Sequence, residues 1–298
     1  MNRKSFLQLS ALGLLAPALF SKPTTAPQRK LCFNTLACPD WSLPEIFENA
    51  QKMGYQAVEF RGILNEVDLL QSPYFQKSQR HKIKEMAANF DVNILNLNSS
   101  AVLHEYEPSK KNLNLDTAKR YIDMAQELDC PYIRVFPNYF PKEKTKAFAL
   151  ATIQENLAIL ADYCSGSRVK VLLDTHSDLV WATDISFVMQ GMSNEHTGII
   201  WDFFNMHLQT GESPEKMYHT LKDYISLVQL KDGYFKNDAA TKYTLTGNGE
   251  VPIAEILALL DRTHYNGYLS FEWEKRWHPE LAEPEIALPH FKRIVSMY

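Results

Sequence analysis

Glycine is scarce, at 11 of 298 residues. A phosphate-cradling loop or a dinucleotide fold wants a glycine-rich first turn. No such turn occurs here, since the loop after the first apolar run reads Ala37-Cys38-Pro39-Asp40-Trp41. Cysteine is scarce too. Cys32, Cys38, Cys130 and Cys164 form no CxxC pair and no zinc-ribbon spacing, which excludes a disulfide scaffold and a thiolate zinc module. A Cys32–Cys38 bridge stays open at this level. There is also no excess of positive charge. Lys and Arg number 31 against 35 Asp and Glu, for a net charge of -4, so the electrostatic footprint of a nucleic-acid binder is missing. No apolar run is long enough to span a bilayer. What is present is ordinary for a soluble globular chain: 45% hydrophobic and 22% charged residues.

The N-terminus reads as a targeting segment. Arg3 and Lys4 precede a short apolar stretch, Leu9 to Phe20, with the length of a secretory h-region. Arg3-Lys4-Ser5-Phe6-Leu7-Gln8 resembles a twin-arginine export signal with Lys at the second Arg. Residues 1–22 are therefore expected to be a Tat-like or Sec signal peptide and 23–29 a polar linker. The mature protein is expected in a bacterial periplasm without a membrane span.

From Lys30 on, two patterns alternate. β-rich runs occur at Leu31–Leu36, Ala57–Arg61, Val92–Asn98, Tyr132–Phe136, Val169–Asp174, Gly198–Asp202, Ile225–Leu230 and Tyr268–Glu272. Amphipathic stretches such as Leu43–Lys52, Leu115–Leu128, Lys144–Tyr163 and Asp184–Gly191 follow them, with apolar residues at helical spacing. Ser42 stands as an N-cap before Leu43. Eight strand–helix units over 30–298 predict a single α/β domain, a (β/α)8 TIM barrel, in preference to a doubly wound open sheet.

In a barrel, chemistry collects at the C-terminal strand ends. These ends carry Arg61, Asn98, Arg134, Asp174 with His176, Asp202 with His207, Gln229 with Lys231, and Glu272 with Trp277 nearby. Residues two apart share a face, so Glu59 and Arg61 are expected to pair, and Lys231-Asp232 reads equally as a buried structural pair. Asp174, Asp202 and Glu272 are three carboxylates closing one barrel. A divalent cation such as Mg or Mn would hold them together, and so would Arg61, Arg134 and Lys231. Each alone reads as readily as a helix cap or a loop ion pair.

Several segments together carry a family likeness. Trp201-Asp202-Phe203-Phe204-Asn205 with Gly211-Glu212-Ser213-Pro214, Val228-Gln229-Leu230-Lys231-Asp232, and Gly247-Asn248-Gly249-Glu250-Val251-Pro252 before Tyr265-Asn266-Gly267-Tyr268 and Glu272 resemble the xylose-isomerase-like TIM barrels. These include sugar phosphate isomerases and epimerases, inosose dehydratases and a branch like AP endonuclease family 2. The resemblance implies one divalent metal bound through Glu, Asp, His and Glu, which by position become Asp174, Asp202, Gln229 and Glu272. Asp174 is one methylene shorter than the family's Glu, and Gln229 replaces its His. The resemblance also implies two acidic residues that move a proton next to a carbonyl, here Glu272 and Asp174. His176, Arg134, Lys231, His207 and Trp277 are then the expected substrate binders. A small carbohydrate substrate, neutral if the chain is exported, follows from the same likeness. The activity implied is isomerase or epimerase. A lyase working through the same enolate and a non-catalytic sugar-binding barrel are the alternatives.

Overall fold

A computed structural model describes residues 29–235 and 242–298. The expected signal peptide over 1–22 and almost all of the 23–29 linker lie outside them.

Eight parallel strands close into a barrel: β1 (Lys30–Asn34), β2 (Ala57–Phe60), β3 (Asn93–Val102), β4 (Tyr132–Phe136), β5 (Lys170–Asp174), β6 (Thr197–Asp202), β7 (Ile225–Leu230) and, last in the chain, β10 (Tyr268–Phe271). β10 pairs with both β7 and β1, which completes the ring. The helices cover the outside: α1 (Leu43–Met53), α2 (Arg80–Asn89), α3 (Pro108–Glu127), α4 (Lys146–Tyr163), α5 (Ala182–Met189), α6 (Phe203–Thr210), α7 (Pro214–Leu221), α8 (Ile253–Arg262) and α9 (Pro284–Val295). Among the described residues, none of these is long and apolar enough to cross a membrane.

Strand alternation sorts the side chains into layers. One alternating set, with Phe33, Val58, Ile133, Val171, Leu173 and Phe271, joins the large core shared with the helices. The other set points inward, where Cys32, Ala57, Leu95, Leu172, Ile200 and Leu227 form a small separate apolar layer. Two residues further along, the inward set becomes polar: Asn34, Glu59, Arg134, Asp174, Asp202 and Gln229, all buried. The period of two that builds the strands thus also stacks a polar layer on an apolar plug.

Helix ends follow the expected chemistry. At α1 the Glu45 carboxylate accepts from the Ser42 backbone N–H (2.7 Å) and hydroxyl (2.6 Å), and Gly54 closes the helix at φ 75°, a left-handed value that favours glycine. Two elements were not foreseen. α6 begins directly at the end of β6, with Asp202 as its cap. An antiparallel hairpin, β8 (Asp232–Tyr234) with β9 (Lys242–Thr244), rises beside β7.

Two sequence expectations fail. Glu59 does not pair with Arg61. Its carboxylate faces inward and accepts from Asn96 Nδ2 (2.8 Å), Asn98 Nδ2 (3.4 Å) and the Ser270 hydroxyl. Arg61 lies past the strand end and donates to Val67 O and Ser100 Oγ. Nor do Lys231 and Asp232 pair. Adjacent residues point to opposite faces, and the Asp232 carboxylate accepts instead from the N–H groups of Gly233, Gly247, Gly249 and Val251. All four cysteines are free and buried.

Candidate active site

The strand-end residues meet on one ammonium. Lys231 Nζ lies 3.0 Å from Asp202 Oδ2 and 2.9 Å from Glu274 Oε1, and it also donates to Glu272 Oε2. The Lys231 side chain is 3% exposed, and those of Asp202 and Glu272 are 1% and 8% exposed. Burial alone would lower the Lys231 ammonium, but the three carboxylates outweigh it and hold it well above its ordinary range. For Glu272, burial dominates over the attraction of Lys231 and pushes the carboxyl up to about 8. Asp202 is raised by burial in the same way, whereas Glu274 is lowered because Lys231 overcomes its burial. The carboxylates thus hold the Lys231 ammonium charged, while burial raises Glu272 and Asp202 among them.

Asp202 also does the bland work that its sequence position allows. It accepts from Asn205 N (3.1 Å) and Asn205 Nδ2 (2.6 Å), capping α6. Next to it, Asp174 is answered by Arg134, whose Nη1 lies 3.3 Å from Oδ2. The guanidinium is held in place by Ser99 O (2.9 Å) and by the Phe136 ring, 3.7 Å from its centroid. Among the described residues, Asp174 Oδ1, Arg134 Nε and both amide atoms of Gln229 are buried without a hydrogen-bond partner. Unpartnered buried polar atoms are costly, and Gln229 adjoins Asp202 and Ser270 in the ladder. These atoms therefore gather where a ligand's polar groups would complete them.

The other expected binders stand apart. His176 shares a 2.8 Å contact with Ser177 Oγ and packs edge-on against Phe136. His207 Nδ1 is 2.8 Å from Glu212 O, and its ring stacks on Phe203. Neither imidazole bonds to the carboxylates around Lys231. Trp277 is 49% exposed, outside the buried cluster. Two members of the cluster were missed. Glu274 was readable, since it lies two residues beyond Glu272. Tyr243 was not. It arrives on β9 and donates to Glu274 Oε1 at 2.9 Å.

A divalent metal fits this donor set poorly. Among the described residues, no three His, Cys, Asp or Glu side chains are grouped to hold an ion. The expected ligands Asp174, Asp202, Gln229 and Glu272 do face one mouth. However, Asp174 is engaged by Arg134, Asp202 and Glu272 by Lys231, and Gln229 offers no imidazole. An incoming dication would meet an ammonium already within hydrogen-bond distance of three carboxylates.

A large cavity lies elsewhere. About 950 Å³ opens at the opposite end of the barrel, between residues such as Asn93, Leu95, Cys130, Pro131 and Tyr268. Its charged rim pairs with itself, through Lys84–Asp129 and Arg168–Asp129. It contains no converging polar cluster, so the chemistry is assigned to the strand ends despite the space below.

Comparison with known proteins agrees with this architecture. The chain superposes on the 3-keto-D-glucoside 4-epimerase YcjR of E. coli with a TM-score of 0.73 at 14% identity, covering 91% of this chain and 100% of that one. The IolI protein with a bound zinc atom gives 0.76 at 18% identity, covering 90% and 99%. A D-tagatose 3-epimerase-like protein gives 0.70 at 17%, covering 90% and 98%. At such identities the likeness is one of fold. No curated protein matches by sequence. A family model does match, over residues 47–294, and with a closed eightfold barrel whose polar layer sits at the strand ends, the chain belongs to the xylose isomerase-like TIM barrels.

Proposed function

We propose that this chain is a carbohydrate isomerase or epimerase that moves the proton next to a carbonyl in a neutral sugar or keto-sugar. The observation that carries this reading is the pairing, in one buried mouth, of Glu272 on Lys231 with the unpartnered polar atoms of Gln229, Asp174 and Arg134. An amide presents a donor beside an acceptor, as a sugar hydroxyl does. A site with free amide atoms suits a polyol.

Glu272 takes the α-proton. Burial lifts its carboxyl to about 8, which makes it a stronger base near neutral pH than an ordinary glutamate. The C–H electron pair moves into the carbonyl, and the oxygen becomes an enolate. Arg134, whose Nε has no partner, supplies an N–H donor for that oxygen, and Lys231 adds positive charge beside it. Asp174, after taking a proton from solvent on its free Oδ1, delivers it on the other side, and Glu272 releases its own proton to solvent, giving the epimer. If the enolate instead expels a β-substituent, the same first step makes a lyase. The sugar epimerases among the structural neighbours support the first outcome.

Glu272→Gln keeps the shape and removes the base. Solvent deuterium exchange into a keto-sugar should fall by roughly 10²–10⁴-fold, the usual contribution of a general base. An unchanged exchange rate in a folded Glu272→Gln protein would sink the assignment. Products separate the two outcomes, since epimerisation conserves the substrate's formula and elimination releases a second molecule.

We also propose that the protein works in the periplasm, on the strength of the basic start and apolar stretch within residues 1–22. That location explains a neutral substrate better than a phosphorylated one. Recovery of the protein only in the cytoplasmic fraction would remove this support.

A further inference from the structure

We propose that the Lys231 ammonium is the permanent cation of the mouth and that the chain takes no divalent metal there. Three observations meet in this. The first is coordination. Nζ has three N–H donors, and three carboxylates surround it: Asp202 at 3.0 Å, Glu274 at 2.9 Å, and Glu272 in contact. Each donor has its acceptor, and the group is as buried as its partners. A divalent ion at the same carboxylates would require this ammonium to leave its ring of oxygens while remaining buried beside a like charge.

The second is the neighbouring ligand position. Gln229 is a neutral amide, a weaker ligand than imidazole, and it brings no charge to offset the displacement of Lys231. The third is Asp174. It does not wait open for an ion, because Arg134 lies 3.3 Å from it and is itself fixed by Ser99 O and Phe136. Two built-in cations thus take up the carboxylates that a metal would need. Tyr243 strengthens the arrangement from the far side, donating to the Glu274 oxygen that Lys231 also contacts.

The inference does not depend on the proposed reaction, since metal content is read without substrate. The purified full chain, treated with chelator, is equilibrated with excess MnCl2 or ZnCl2, freed of unbound ion by gel filtration, and its metal counted by mass spectrometry. The wild-type chain should retain only background metal. Gln229→His should also stay at background, because the ammonium still blocks the ring. The double variant Lys231→Met, Gln229→His should gain Mn affinity by roughly 10–100-fold, the scale on which groups around a metal site move its affinity. One ion per wild-type chain, lost again in Asp202→Asn, would overturn the proposal. So would stoichiometric binding by Gln229→His alone, and so would a folded double variant that stays at background. Should the double variant not fold, the metal contents of the wild-type and Gln229→His chains decide the matter.

Discussion

Lys231 shows how much rests on a single side chain. Its ammonium answers three buried carboxylates at once, and removing one partner from a buried ion pair typically costs about 3–5 kcal/mol. Lys231→Met should therefore lower unfolding stability by about that amount at neutral pH, measured by denaturant titration. A loss below about 1 kcal/mol would mean the cluster is solvated. Glu59 behaves in the opposite sense. Burial raises its carboxyl above the ordinary value despite hydrogen bonds from Ser270, Asn96 and Asn98. The folded chain then binds a proton that the unfolded chain has lost, so stability falls as pH rises above the ordinary glutamate value. Glu59→Gln removes that penalty. The variant should melt higher than wild type at pH 7 and match it near pH 4. A lower melting temperature at pH 7 would show that the charge is required. That both residues face inward was legible from alternation. Their partners were not, because sequence spacing within one strand does not say which residues neighbouring strands bring alongside. Asn96 and Ser270 reach Glu59 from β3 and β10, separations no local pattern encodes.

At the scale of elements, Asp232 ties β7 and the hairpin to the segment before α8. Four backbone N–H groups, from Gly233, Gly247, Gly249 and Val251, donate to one carboxylate. Gly249 must pass close to it. A Cβ there would meet Asp232 Oδ1 at 2.2 Å and the Gly233 backbone at 2.6 Å, so the position excludes any side chain. Hydrogen bonds to a charged group contribute about 1.5–3 kcal/mol each and are not additive. Asp232→Asn keeps the volume but replaces one acceptor oxygen with a donor. It should cost about 2–4 kcal/mol and raise amide exchange at 247–251 before the rest of the barrel. Exchange that stays unchanged at those amides would show the loop is held by other contacts. The strands and most helices were legible at this scale because hydrophobic periodicity is strong in them. α6 and the hairpin were not. Phe203–Thr210 starts directly after the last residue of β6 with no turn between them, and β8 and β9 are three residues each, too short to show a period. That is why Tyr243 escaped notice as a neighbour of the site.

On the scale of the whole molecule, the barrel closes where the last strand meets the first. Leu269 and Phe271 of β10 align with Leu31 and Phe33 of β1. Phe271 is fully buried and stacks on Phe291 of α9 at 4.6 Å and on Trp273 at 5.6 Å. The count of eight units was readable from the sequence, but closure is a consequence of pairing between residues more than two hundred positions apart, and only the ring forces the strand-end carboxylates to converge. The seam therefore tests whether the barrel is one cooperative unit. Phe271→Ala deletes a buried aromatic and should cost about 3–5 kcal/mol. If closure couples the two halves, protection of β5 and β6 amides against hydrogen exchange should drop by the same free energy as that of β1, although neither strand pairs with β10. Should β5 and β6 keep their wild-type protection while β1 and β10 lose theirs, the halves open separately, and the site, with Asp174 and Asp202 on one side and Glu272 on the other, spans the joint between them.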